Sequence, residues 1–372
     1  MTNRIRATLV AVGLLAGLLT GAPAASAATC GDVLVANTTL TSNLACSGTA
    51  FVIGAGGIVL DLNGYTLTGD GTGSGVEQTG AIGGFTIRNG RIQNFEWGVN
   101  LNGTVGGPAF ATIEDLRIRD NTDAGIRLES AREVIVQRVR VSGNGTPANA
   151  TGEGLDIIGG ISNRVLDSVF FKNLQNGIRL NMAEETTVIG NTMRDNAVAG
   201  IDYADAVDSL ARDNRIVRND VGVCFSNSSG HNVETNKIRY NGAGVLVTNP
   251  PAGVSRLNNF SDNSIARNGV GMLFEDPGTF DTDVVANRIN WNSGSGVVVI
   301  DGKVVIEDNR AARNGGSGMA LLGGTQEVTA NTTVNNTGWG IFVGAGSTTL
   351  GSGNFSNLNG AGNCNQPGLC FP

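Results

Sequence analysis

A glycine followed by an apolar, any, apolar triplet returns at Gly98, Gly125, Gly154, Gly177, Gly200, Gly222, Gly244, Gly271, Gly296, Gly318 and Gly340, and Gly362 ends the series. Successive members lie 22 to 29 residues apart, the period of a solenoid in which each repeat is one supersecondary unit. Two asparagine columns travel in phase with the glycines. Asn191, Asn214, Asn236, Asn263, Asn287, Asn309, Asn331 and Asn354 are each followed five residues later by another Asn, from Asn196 to Asn359. Between these markers lie short alternating segments such as Val188-Ile189, Thr192-Met193-Arg194 and Ile201-Asp202-Tyr203. Alternation places every second residue inward.

Asn and Gly tolerate the left-handed bends that must separate such segments. An Asn recurring at one bend also meets its own copy on the next coil, where side-chain amides bond along the axis. The pattern predicts an all-β, single-stranded parallel β-helix with three short strands per turn and about 14 turns. At ~4.8 Å per winding the rod is roughly 65 Å long. A helical bundle is excluded: the chain of 372 residues holds 56 Gly and 41 Asn, and Gly costs about 1 kcal/mol at each helix-interior position. Leucine-rich repeats share the period, but the apolar positions here are mostly Val and Ile and no segment carries a helical period.

Arg4 and Arg6, the apolar stretch from Ala7 to Leu19, and Ala25-Ser26-Ala27 read as a secretory leader with an A-x-A cleavage site. The expected organisation is a signal peptide over 1–27, a disulfide-pinned cap over 28–57, the β-helix over 58–362 and a C-terminal disulfide cap over 363–372. The mature chain is then secreted, with Cys30–Cys46 and Cys364–Cys370 as disulfides at its two ends and Cys224 without a mate. Removing the leader deletes two Arg and no acid, which takes the net charge from −7 to −9. That balance argues against nucleic acid and anionic membranes as partners.

Three groups of segments resemble the right-handed parallel β-helix proteins of the pectate lyase superfold, with repeats of the carbohydrate-binding and sugar-hydrolase type. They are Ile58-Val59-Leu60-Asp61-Leu62-Asn63-Gly64-Tyr65-Thr66-Leu67, Phe85-Thr86-Ile87-Arg88-Asn89-Gly90-Arg91-Ile92, and every later N-x-[IV]-x-x-N-x(3,4)-G-[IVLM] unit. The resemblance covers about Cys30 to Cys370. It implies a right-handed coil and a polysaccharide groove on the outer face of the sheet that follows each in-phase glycine. Fold alone does not deliver a reaction.

If residues one and three after each glycine point inward, the residue two after it points out. That column reads Asn100, Arg127, Asp156, Arg179, Asp202, Cys224, Leu246, Leu273, Val298, Ala320 and Phe342. It is polar at first and apolar afterwards. Arg127, Glu129, Asp156, Arg179 and Asp202 are the catalytic candidates, and Asn100, Asn102, Glu153, Asn181 and Tyr203 the substrate-binding ones. The inserted stretches Asn102–Pro108 and Ser142–Glu153 would wall this region. Arg127 and Arg179 suit bidentate binding of a uronate carboxylate, or one of them acts as a base in β-elimination. Asp156 and Asp202, two windings and roughly 9.6 Å apart, stand near the upper end of the ~6.5–9.5 Å used by inverting glycosidases. The alternating signs also suit a plain surface ion-pair ladder, each exposed pair worth about 0–1 kcal/mol.

The apolar continuation from Leu246 to Phe342 suits a covered contact face, including a homotypic one. His231, the one His, reads as a surface turn residue. No cofactor is expected beyond calcium at Glu275, Asp276, Asp281 and Asp283, whose hard oxygens crowd one loop. The function expected is binding, with lyase- or hydrolase-type cleavage, of an extracellular polysaccharide. The alternative is a noncatalytic glycan-binding or structural surface protein.

Overall fold

The computed structural model describes residues 28–102, 110–147, 151–249 and 253–371. The signal-peptide segment 1–27 and most of the Asn102–Pro108 insertion lie outside the described residues. The rest is an all-β solenoid of about 14 turns. Each strand pairs in parallel with its counterpart one winding on. Ile126–Glu129 pairs with Trp97–Asn102 on one side and Leu155–Ile161 on the other. The sheet holding these strands, which follows the in-phase glycine, is called the first sheet. The second contains Ile135–Gln137 and Arg164–Leu166, and the third contains Arg140–Ser142 and Val169–Phe171. No helix among the described residues is long and apolar enough to cross a membrane.

Alternation produces the core. Ile126, Leu128, Leu155, Ile157, Ile178 and Leu180 are fully buried, while the residues between them on the same strands face outward. Buried aromatics stack along the axis, with Tyr203 and Phe225 rings 4.7 Å apart and 8° from parallel. Their planar faces fill the interior where successive windings align.

The asparagine columns form the ladders that stacking requires. Oδ1 of Asn236 accepts the backbone N–H of Asn214 at 2.9 Å, and the amide of Asn214 donates to Val188 O at 2.8 Å and to Asn236 Oδ1 at 3.0 Å. This column turns the corner from second to third sheet. The other turns the corner from third to first, through Asn196, Asn219 and Asn241. Each buried amide thereby satisfies backbone groups at a bend, where no strand partner is available.

Two expectations need correction. The left-handed residue at these corners is the one before the Asn, as at Asp213 (φ 56°) and Arg218 (φ 56°); the Asn itself is turned inward by its ladder bonds. The in-phase glycines are required by close approach rather than by left-handed φ. A Cβ on Gly200 would lie 2.4 Å from Ile216 Cγ2 and 2.7 Å from Gly222 O. The disulfide-bearing end segments also pair with the coil. Asp32–Leu34 pairs with Phe51–Ile53, and Gly362–Cys364 and Cys370–Phe371 pair with the strands before them. Disulfides Cys30–Cys46 and Cys364–Cys370 pin these end windings, and Cys224 is free.

Candidate functional site

The outward file of the first sheet runs in unbroken register. Asn100, Arg127, Asp156, Arg179, Asp202 and Cys224 are direct partners on successive windings. Glu77 precedes Asn100 in the same file. The register brings residues more than twenty apart in sequence onto one surface.

The file does not behave as a continuous ion-pair ladder. Arg127 turns along its own strand to Glu129, 2.9 Å away, and its guanidinium lies 5.6 Å from the Trp97 ring centre. Trp97 Nε1–H in turn donates to Asp123 Oδ2 at 3.0 Å. Arg179 stands 3.8 Å from Asp202 and 3.9 Å from Glu153. Asp156, between the two arginines, makes no ion pair among the described residues within 4.0 Å, and its Oδ1 is buried without a hydrogen-bond partner. Only 8% of Asp156 and 6% of Glu153 is exposed.

Burial therefore dominates the electrostatics. Loss of hydration pushes the Asp156 carboxyl up to about 7, reinforced by the nearby Glu153 carboxylate and opposed by Arg179 and Arg127. Burial likewise raises Asp202 above the ordinary carboxylate range, against the pull of Arg179. Burial, then the Asp202 charge, pushes the Cys224 thiol up to about 12, so the thiol stays protonated and donates to Asp202. Glu96 is raised by burial and by Asp123. Asp156, which holds its proton up to about pH 7, can exchange a proton with a bound molecule while the Arg179 guanidinium between it and Asp202 binds negative charge.

Of the sequence-expected residues, Asn100, Arg127, Glu129, Asp156, Arg179 and Asp202 share this face, with Glu153 beside Arg179. Asn102 and Asn181 lie in the next outward file, partnered with Glu129 and Ile158 respectively. Tyr203 does not belong. It is fully buried against Phe225, because it stands three residues after Gly200 and that position points inward.

His231 is also corrected: it is fully buried. Its Nδ1 accepts the Ser209 N–H at 3.1 Å, and its Nε2 bonds Ala206 O at 3.1 Å. It takes the ladder position at the first-to-second-sheet corner that Asn258 occupies one winding later. An imidazole with one acceptor and one donor nitrogen reproduces what an Asn amide offers there.

The four loop acids do not converge on a cation. Asp281 pairs with Lys303, Asp276 Oδ1 accepts the Gly278 N–H at 2.9 Å, and among the described residues no group of three acid, His or Cys side chains is arranged to hold a metal.

Sequence reasoning missed Glu96, Trp97 and Asp123. They lie one or two residues before Gly98 and Gly125, as Glu153 and Asn176 lie just before Gly154 and Gly177. Glu96 and Asp123 stand two residues before the glycine and Trp97, Glu153 and Asn176 one residue before it, so the two positions preceding each in-phase glycine are the signal that points to them. Beyond Cys224 the file turns apolar through Leu246, Leu273, Val298, Ala320 and Phe342, all half-buried, with Ile300 and Leu322 exposed beside them.

The model of a family described as the right handed beta helix region matches residues 24–204, 97–261 and 277–363. A search of the curated proteins finds no match. Among solved structures, a mutant of the periplasmic alginate epimerase AlgG is similar at 16% identity, over 88% of this chain and 78% of that one, with a TM-score of 0.51. The Dettilon tailspike protein is similar at 15% identity, over 87% of this chain and 62% of that one, with a TM-score of 0.53. Likeness at these identities is likeness of fold. Matched over most of its length and wound in parallel from Asp32 to Phe371, the chain belongs to the right-handed parallel β-helix family.

Proposed function

We propose that the chain is a secreted protein that binds an acidic polysaccharide along the first-sheet groove and cleaves it by lyase- or hydrolase-type chemistry. The observation that carries this reading is Asp156, a nearly buried carboxyl pushed up to about 7 between two arginines, with an oxygen that no group among the described residues satisfies. A native ion-pair ladder would hold such a carboxyl down. Arg127 and Arg179 are the carboxylate-binding groups.

In elimination, Asp156 as the carboxylate accepts the proton α to the sugar carboxylate while a guanidinium stabilises the charge that develops; the bond from the β-carbon to the glycosidic oxygen then breaks, a C=C bond forms, and the departing oxygen takes a proton from water. In hydrolysis, protonated Asp156 donates to the glycosidic oxygen and Asp202, roughly 9.6 Å away, activates water. The shared fold with an alginate epimerase, whose name states a polysaccharide substrate, supports the substrate class. The paired cysteines at both ends support an oxidising, extracytoplasmic location.

A noncatalytic, glycan-binding or structural rod is the second reading. It is favoured by the half-buried apolar file from Leu246 to Phe342, which suits contact with another rod.

Pectins, alginates and glycosaminoglycans assayed for unsaturated-uronide absorbance and for reducing ends separate the two readings. Asp156→Asn and Arg179→Ala should each lower the rate on the active substrate at least about a hundredfold. Normal rates in both would remove the proposed site. Binding without turnover on every substrate would leave the noncatalytic rod.

A further inference from the structure

The outer face of the third sheet carries the opposite charge logic from the first. Arg91, Arg117 and Arg140 are direct partners on three successive windings, and further along the same file Arg215 partners Lys237 and Arg288 partners Arg310. All of these are exposed. The neighbouring outward file adds Arg119, Arg194 and Arg239. Ten of the 23 basic residues beyond the leader therefore stand on one face. Among the described residues neither file holds an acid, and Arg117, Arg140, Arg215, Lys237, Arg288 and Arg310 make no ion pair.

Like charges directly opposite one another on adjacent strands destabilise a sheet. On a chain of net charge −9 after leader removal, nothing in folding calls for three arginines stacked at one position. The first-sheet file shows the contrast, since its charges alternate in sign. The arginines are also held in place. The Arg140 and Arg194 guanidinium groups lie 4.4 and 4.3 Å from the centre of the Phe171 ring, and Arg91, Arg117, Arg119, Arg140, Ser142 and Phe171 line one concavity. Along the adjoining corner Tyr240 and Trp291 are about half exposed, each with an arginine stacked on it.

We propose that this third-sheet face is a second binding surface, for a linear polysaccharide bearing carboxylate or sulfate groups. Guanidinium forks match planar or tetrahedral oxyanions in a bidentate way, and the flanking aromatic rings suit the apolar faces of sugar rings. The row offers about one positive charge per winding of ~4.8 Å. That density fits a polymer with one charge per sugar better than duplex DNA, which carries one per about 1.7 Å of axis. The surface is separate from the first-sheet groove and does not depend on the function proposed there.

The test is calorimetric titration of the full chain with dextran sulfate, polygalacturonate, neutral dextran, polyphosphate and duplex DNA at two salt concentrations. Dextran sulfate or polygalacturonate should bind, more weakly at the higher salt, and neutral dextran should not; which of the two binds identifies sulfate or carboxylate as the source. The double variant Arg117→Glu/Arg140→Glu should weaken binding at least tenfold and flatten its salt dependence, with an unchanged circular dichroism spectrum. Arg117→Lys should retain the salt dependence. The control variant Arg164→Glu, at an exposed position of the second sheet, should change this binding less than twofold; if it weakens binding as much as the double variant does, the effect is one of net charge and the inference fails. Tighter binding of polyphosphate or DNA than of either polysaccharide, or no salt-dependent binding to either, also overturns it.

Discussion

His231 accepts the Ser209 backbone N–H through Nδ1 at 3.1 Å while its ring packs 4.4 Å from that of Tyr203. One side chain thus caps a corner and extends the aromatic stack. Burial lowers its pKa to about 4 from the ordinary 6.5, so it is neutral in the folded protein. The stability this contributes is complete above about pH 6.5 and is lost as pH falls towards 4. His231→Asn keeps a ladder acceptor but removes the ring. Urea unfolding should show the variant about 1–3 kcal/mol less stable at pH 7, with the gap narrowing by pH 4.5. A gap that is constant with pH would contradict a neutral buried imidazole.

Asp156 works in the opposite direction. Its pKa is raised from 3.8 to about 7, so the native state holds the proton more tightly than the unfolded chain, and stability falls as pH rises from about 4 to 7. The His231 and Asp156 trends partly cancel in the intact protein and separate in the single variants. Asp156→Asn should remove the loss, gaining stability relative to wild type at pH 8 but not at pH 4. Equal stability differences at both pH values would place Asp156 in an ordinary solvated environment.

Asn236 tests the ladder. Its Oδ1 accepts from the Asn214 backbone and side chain, and its amide donates to Ala211 O at 2.9 Å and Asn263 Oδ1 at 3.1 Å. Asn236→Leu fits an apolar side chain to the site but strands a buried backbone N–H, at about 1–3 kcal/mol for each group left unpaired. Thermal unfolding should drop accordingly, whereas Asn357→Ala, at an exposed position of the last windings, should shift it little. Comparable shifts in both would mean that the ladder carries no particular stability.

Cys224 is the free thiol, held protonated by burial and by Asp202. Reaction with a thiol reagent should be slow in the native protein and should stop at one equivalent after denaturation without reductant, rising to five with reductant. Two or more equivalents without reductant would mean that an end disulfide is absent.

The winding was legible in the residues because the period, the in-phase glycines and the asparagine columns each follow from one constraint, that equivalent positions stack. The same phase puts Arg127, Asp156, Arg179 and Asp202 in one file. That phase also turns Tyr203 inward, whereas the burial of His231 is not legible in the sequence, because a lone histidine in an Asn-rich corner gives no sign of which way its ring turns.

Local sequence determined the strand alternation, the corner chemistry and the order of side chains along every file. Tertiary structure alone decided which way each file faces, how far Asp156 is withdrawn from water and that Arg127 turns to Glu129 rather than to Asp156. It also gathered Arg91, Arg117 and Arg140 on one face. The reason is that proton affinity, ion pairing and like-charge stacking depend on dielectric and distance between neighbouring windings, and those quantities exist only once the coil has closed on itself.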